Sequence, residues 1–439
     1  MMQLRIGRVT VIAGITLYIM ILYVTYINLI SPAYSYYQLI NLHPPLWIIL
    51  LSSFMAVLPS FWSDYRVDRP SQVIYWILYL FAYIPVVIIP DFIREDPLDS
   101  FWLFKLSVFI SLGTLCLFGK IPLIPIKNSR LSTSVVNISL FLYMFILYGV
   151  IIQTFGFHVN PVSFKDVYGV REVFRSEASR LSGYAITWLS KIMDMFLIAI
   201  GMLKGQLLLI FIGIFGQAYV YSITGHKSVV LSVCLLFMVL FCLRNKGQTF
   251  GIRFTWCMSL FVGIALLMDY SNNTITFTEI FTRRMLLLPG ALSSLFFDFF
   301  STNPKTYLGH SIFHFFVEYP YNANPSSIIG FVYFGSEKMS ANANMWADGY
   351  SAFGYAGVIV FSLLLAVILW IYDSIAQNRN FMVSVALMVM PAWSLVDSSF
   401  IIALITNGIF IAIALNYVYR SDLWKGKVNV KSENTSNAI

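Results

Sequence analysis

The feature that most constrains this chain is a succession of apolar runs, each close to the length of a membrane crossing, with short polar stretches between them. About 20 mostly apolar residues carry a helix across the hydrocarbon core of a bilayer. Runs of that kind fall near 9–31, 45–62, 73–91, 101–118, 133–155, 184–203, 206–223, 228–243, 251–268, 351–372, 381–397 and 400–419. The first follows Arg5 and Arg8, is too long for a signal-peptide core and has no A-x-A site after it, so it reads as a retained helix. The last two are parted only by Asp397, Ser398 and Ser399. Composition agrees: 59% of residues are hydrophobic and 11% charged, against about 25% charged in soluble domains. The fold class expected is an all-α integral membrane protein of about twelve transmembrane helices, a single polytopic domain over 1–424 with a disordered cytoplasmic tail at 425–439.

The loops test that count, because cytoplasmic loops hold an excess of Lys and Arg. With the N-terminus inside, one side collects Arg5, Arg8, Arg66, Arg69, Lys120, Lys127, Arg130, Lys204, Arg244, Lys246, Arg253, Arg379, Arg420, Lys425, Lys427 and Lys431. Lys105 and Lys191 lie within runs, and Arg94, Lys165, Arg171, Arg175, Arg180, Lys227, Arg283, Arg284, Lys305 and Lys338 fall on the other side. The alternation places both termini in the cytoplasm. Arg94 sits in an acidic stretch with Asp91, Glu95, Asp96 and Asp99; all but one of the remaining exceptions concentrate in two large polar outer loops, about 156–183 and 269–350. Long loops are translocated whatever their charge, so chance is one explanation. A bound anion is the other.

In the first loop, Lys165, Arg171, Arg175 and Arg180 recur at spacings of 6, 4 and 5. On a helix Arg171 and Arg175 share a face, either as a solvated face paired with Glu172 and Glu177 or as a guanidinium cluster suited to phosphate. The Thr224-Gly225-His226-Lys227-Ser228 turn offers a cation at a helix N-terminus, where anions are well received, or is a plain hairpin with an interfacial lysine. The second loop carries Arg283 and Arg284, then His310 and His314, then SANANMWADGYSAFGYAG. If helical, the two histidines point the same way, but position 311 is Ser where the HExxH pattern has Glu, so no metal site is expected. A histidine serving as general base or phosphate donor is the functional reading. Asn342, Asn344, Trp346 and Asp348 supply the amide, indole and carboxylate groups that grip sugars, or equally a helix cap with an interfacial Trp. Gly354 and Gly357 let helices approach closely. Lys191 and Asp194, three apart in a run, are placed to pair. Four cysteines without CxxC spacing read as small core residues. Neither GxxxxGKS, GxSxG nor DxD occurs, which argues against nucleotide-driven transport, hydrolysis at a nucleophile elbow and metal-assisted use of nucleotide sugars.

The roughly twelve helices, the two arginine-bearing outer loops, the TGHKS turn, RRMLLLPG…FFDFFSTNP and NANMWADGYSAFGYAG together resemble the bacterial O-antigen polymerases (Wzy-type oligosaccharide repeat-unit polymerases). The resemblance covers most of the chain as architecture, through short motifs. It implies a glycosyltransferase C-like membrane enzyme of the inner membrane, working at its periplasmic face on undecaprenyl-diphosphate-linked oligosaccharides, with no cofactor. A flippase and a chain-length regulator of the same pathway are the implied partners, and nucleic acid is not one. On this reading Arg171, Arg175, Arg180, Lys227, Arg283 and Arg284 hold the diphosphate or an anionic sugar. Asn342, Asn344 and Trp346 hold sugar, and His310, His314 or Asp348 takes the proton from the attacking hydroxyl. One departure stands: the arginine with a glycine eleven positions on, found in both loops of some members, is not met. Arg171 is followed by Gly183 at twelve and Arg283 by Ser294 at eleven. An O-antigen ligase shares this layout, and a transporter of lipid-linked oligosaccharide is the alternative outside enzymes.

Overall fold

The computed structural model describes residues 2–95, 100–127, 129, 131–157, 159, 167–244 and 247–419. Lys165 and the expected tail at 425–439 lie outside them. All regular structure among the described residues is helical. The helices are α1 Ile6–Tyr37, α2 Leu46–Phe61, α3 Pro70–Ile93, α4 Phe101–Phe118, α5 Ser134–Phe155, α6 Val167–Glu177, α7 Arg180–Lys204, α8 Leu207–Thr224, α9 Lys227–Cys242 and α10 Phe250–Asn272. They continue with α11 Thr278–Thr302, α12 Pro325–Phe334, α13 Met345–Ala376, α14 Phe381–Asp397 and α15 Phe400–Val418. Among the described residues ten of these are long and apolar enough to cross a membrane, and α2, α9, α12 and α14 are shorter apolar helices. Every one of the expected runs is helical.

The chain packs around α3, whose most apolar stretch is buried throughout. A helix apolar on all sides belongs inside, and α3 sets Trp76, Tyr79, Phe81 and Tyr83 there without exposure worth noting. Its hydroxyls are satisfied by carbonyls of α2, Tyr79 by Ala56 and Tyr83 by Met55, each at 2.8 Å. By contrast α5 is mostly exposed along its length, as a lipid-facing helix is.

The bundle has two ends. A proximal end gathers Tyr65 against Gly7 and Gly251, with the Gly251 N–H donating to the Tyr65 carbonyl at 2.8 Å. Arg379 donates there to the carbonyls of Asn416 and Tyr417. A distal end gathers the Leu42 N–H on the Phe92 carbonyl at 2.9 Å and the Tyr355 hydroxyl on the Ser100 carbonyl at 2.9 Å.

The expected outer loop 269–350 is substantially helical. It contains α11, which carries Arg283 and Arg284, and α12. Both ends of α11 are distal: the Thr278 N–H donates to Asp269 at the end of α10, and Asp298 is paired with Arg94 just beyond α3. Between them Gly290 lies against the Pro85 carbonyl of α3, so closely that a Cβ there would sit 2.4 Å from it. So α11 dips into the bundle and returns to the end from which it came.

A second re-entrant feature follows. Within α13, Phe353 and Gly354 leave helical geometry, Gly354 at φ +66°, and the chain folds back on itself. Residues 345–352 pack against 355–362: the Trp346 indole N–H donates to Ser362 Oγ at 3.0 Å, and Gly349 and Gly357 meet backbone to backbone. Glycine is required at the turn by its positive φ and at the crossing by the absence of room for a Cβ.

Candidate functional site

Two cavities open at the distal end; of the residues singled out in the sequence, Lys227 and Arg284 line one and His310, Asn342 and Asp348 the other. The first is built on the turn joining α8 and α9. Gly225 ends α8 in the left-handed region at φ +60°. Its carbonyl accepts from Arg171 Nε at 3.1 Å and Nη2 at 2.9 Å, so α6 is pinned over the turn by one guanidinium. His226 caps α9 and Lys227 is its first residue. From α11, Arg284 closes the space to form a cavity of about 50 Å³. Lys227, Ser228, Ser232, Arg284 and Asp397 make its polar part, with Leu231, Leu235, Met390 and Trp393 among its apolar walls.

The charge there is net positive. Desolvation holds the Lys227 ammonium below its usual pKa, with Arg284, Arg171 and Arg283 adding to it and Glu279 opposing. Desolvation also lowers the His226 imidazole, and Arg171, Arg284 and Arg175 push the same way. Arg171 and Arg175 of the first loop and Arg283 and Arg284 of the second thus act on the turn at His226 and Lys227. Their roles differ. Arg283 pairs with Glu279 at 3.0 Å and lies over the Tyr34 ring at 4.1 Å, which turns it toward α1. Arg284 lines the cavity. Arg175 is exposed one turn beyond Arg171, and Arg180 is exposed at the first position of α7 and lines neither cavity.

The second cavity, about 330 Å³, holds His310, Asn342 and Asp348 together with Tyr184, Asn324, Ser399 and Thr406. Asp348 is carried there by the folded-back half of α13. It is buried and accepts the Phe400 N–H at 2.9 Å, at the start of α15. Burial lowers the His310 pKa from its usual 6.5, so the ring is neutral at pH 7. Its Nδ1 is buried without a hydrogen-bond partner among the described residues. Asn342 is exposed at the rim, its Oδ1 accepting from Ser340 at 3.0 Å.

The cavities are neighbours. Asp397 lines the first and Ser399 the second. Pro289 lines the first, and its carbonyl accepts from Asn344 at 3.2 Å, next to Ala343 in the second. No family model, curated protein or solved structure matches the chain. The site is therefore read from its own chemistry.

Three expectations are corrected. Asn344 and Trp346 do not face sugar: both are fully buried. Asn344 Oδ1 caps α13 by accepting from the N–H groups of Trp346 and Ala347, each at 3.1 Å, while its amide donates to Ser293 at 2.7 Å. His310 and His314 share no helix face, because 307–316 is a run of turns entered through left-handed Tyr307 and Leu308. His314 is exposed, with its ring 3.7 Å from that of Phe315. Lys191 and Asp194 do not pair. They straddle the end of a π-helical segment, Leu189–Met193, whose wider turn separates positions three apart. Lys191 instead donates to Ser394 and Asn407, both at 2.8 Å, while Asp194 accepts from the Tyr148 hydroxyl at 2.7 Å.

Sequence reasoning missed Asp397, Tyr184 and Ser399. Asp397 was visible only as a break between two apolar runs. A carboxylate in so short a gap is itself a signal, since the polar groups of such a turn face whatever the helix ends enclose.

Proposed function

We propose that the chain is an O-antigen polymerase, a membrane glycosyltransferase that joins undecaprenyl-diphosphate-linked oligosaccharide repeat units at the periplasmic face of a bacterial inner membrane. The observation that carries this reading is the adjacency of a cationic cavity to one holding a neutral, unpartnered imidazole and a buried carboxylate. The basic proximal loops, with Arg66, Lys120, Arg253 and Arg379, face the cytoplasm and the distal cavities the periplasm.

In this reading the donor diphosphate rests on Lys227 and Arg284. The bond between the anomeric carbon and the diphosphate oxygen breaks, and its electron pair leaves on the diphosphate, where the two cations stabilise the growing charge. A hydroxyl of the acceptor sugar forms the new bond, and the His310 imidazole takes its proton. Asp348, already accepting one N–H, orients that hydroxyl, and Asn342 contacts sugar at the rim. Arg171 acts by holding the Gly225–Lys227 turn. His314 takes no part. Holding two lipid-tethered substrates side by side supplies the proximity that such a transfer needs.

One observation favours a carrier of the same lipid-linked oligosaccharide instead. Helices α13 and α15 are broken, at Phe353–Gly354 and 405–408, near a half-buried Lys191, and broken helices around charge inside the membrane are features of transporters. Two measurements separate the readings. Purified protein in detergent, given lipid-diphosphate-linked repeat units, lengthens them if it is a polymerase, whereas a carrier has nothing to do without a membrane. A strain lacking the chain should lose its lipopolysaccharide ladder yet keep the core-plus-one-unit band. Loss of that band too, with lipid-linked polymer accumulating, would identify a ligase.

A further inference from the structure

The segment that follows α11 presents an apolar surface with no partner among the described residues. Residues 307–316 hang from the folded-back half of α13 through the Thr306 N–H on the Ser351 carbonyl at 2.9 Å and the Tyr307 N–H on the Ala352 carbonyl at 3.3 Å. Ile312 is 58% exposed, Phe315 80% and Phe316 85%. Contiguous apolar surface of this kind is seldom left in water.

Its position says what covers it. His310, Ser311 and Ile312 form one wall of the second cavity, and Tyr184, Ile401, Ile402 and Ile405 another. Ile402 and Ile405 are exposed residues of α15, and Tyr184 is an exposed residue near the start of α7, both helices long and apolar enough to cross a membrane. On helices that cross a membrane, exposed apolar side chains are the ones that meet lipid. The cavity thus has one lip in the lipid-facing surface of the bundle and the other in the aromatic segment, and the two apolar surfaces meet at its mouth.

We propose that Ile312–Phe316 is a membrane-interface flap, its aromatic rings set into the headgroup–acyl boundary of the distal leaflet beside a cavity that opens sideways to lipid. Aromatic rings favour that boundary, and apolar faces lie about 5–10 Å into it. A ligand anchored in the leaflet then reaches His310 and Asp348 without leaving the membrane. The placement does not rest on which reaction the cavity serves.

The test is depth, read by spin labels. Cys116, Cys234, Cys242 and Cys257 are replaced by serine, and Phe315→Cys and Phe316→Cys are labelled singly. The protein is placed in nanodiscs of phosphatidylethanolamine and phosphatidylglycerol. Ile402→Cys serves as the lipid-facing reference and Glu337→Cys as the aqueous one. We expect collisions with oxygen to exceed those with a water-soluble nickel chelate at 315 and 316, as at 402, and the order to reverse at 337. Nickel exceeding oxygen at both flap positions would overturn the proposal. So would labels shielded from both agents, since that places a protein partner or a second copy on the segment.

Discussion

Adjacent arginines 283 and 284 have the same sequence signature and different surroundings. Arg283 is spent on Glu279 and the Tyr34 ring, whereas Arg284 lines the cationic cavity beside Lys227. We expect Arg284→Ala to lower turnover of lipid-linked repeat units by about 10²–10³, the scale of removing one donor from a developing oxyanion. Arg283→Ala should instead cost stability on the order of 1 kcal/mol, through the lost ring contact. Single-turnover rates and thermal unfolding of the two variants decide it; equal loss of rate in both would end the distinction. His310 makes a second prediction through pH. Its pKa is depressed by burial, so its basic form persists below the pH at which an ordinary histidine is half protonated. The rate should stay level down to about pH 6.5 and fall only below it. His310→Gln should abolish that limb and lower the rate by about 10²–10⁴. A limb that survives the substitution would assign the base to another group.

At the scale of elements, the folded-back α13 is what brings Asp348 to the second cavity. A Cβ on Gly357 would lie 2.0 Å from the Gly349 carbonyl, while Gly113 in α4 has nothing within 4 Å. Gly357→Ala should therefore cost about 1–3 kcal/mol of stability, the range for overpacking, and Gly113→Ala should leave the melting temperature of the purified protein unchanged. A neutral Gly357→Ala would mean that the hairpin does not close as described. The close approach was legible, since small residues at 354 and 357 announce it, but a helix meeting a neighbour and a helix meeting itself look alike in sequence. The same ambiguity covers Asn344, because an amide that caps a helix and one that grips a sugar are the same residue. Lys191 and Asp194 were misjudged for another reason: their expected pairing assumed 3.6 residues per turn, and the π segment at Leu189–Met193 does not keep that period.

At the scale of the whole molecule, the lipid-crossing runs were legible because hydropathy is a local property and the bilayer rewards it everywhere along a crossing. Helix α11 was not legible, because Glu279, Arg283 and Arg284 fall in its first turns and make it the least apolar of the ten long helices. Two of those charges are tolerated because they are partnered: Glu279 and Arg283 pair within the helix, and Arg283 also lies over the Tyr34 ring of α1. By length and composition alone α11 would count as a crossing, and an added crossing would reverse every helix after it. Its contacts say otherwise, since Thr278 meets the end of α10 and Asp298 meets Arg94, both distal. Cysteines placed singly at Asn273 and Asn303, on either side of α11, should then react with a membrane-impermeant maleimide from the same face of the membrane. A cysteine at Lys120, on the proximal end, should react only from the opposite face. If Asn273→Cys and Asn303→Cys label from opposite faces, α11 crosses, the C-terminal helices invert, and the two cavities no longer share a side with the loop that carries Arg171.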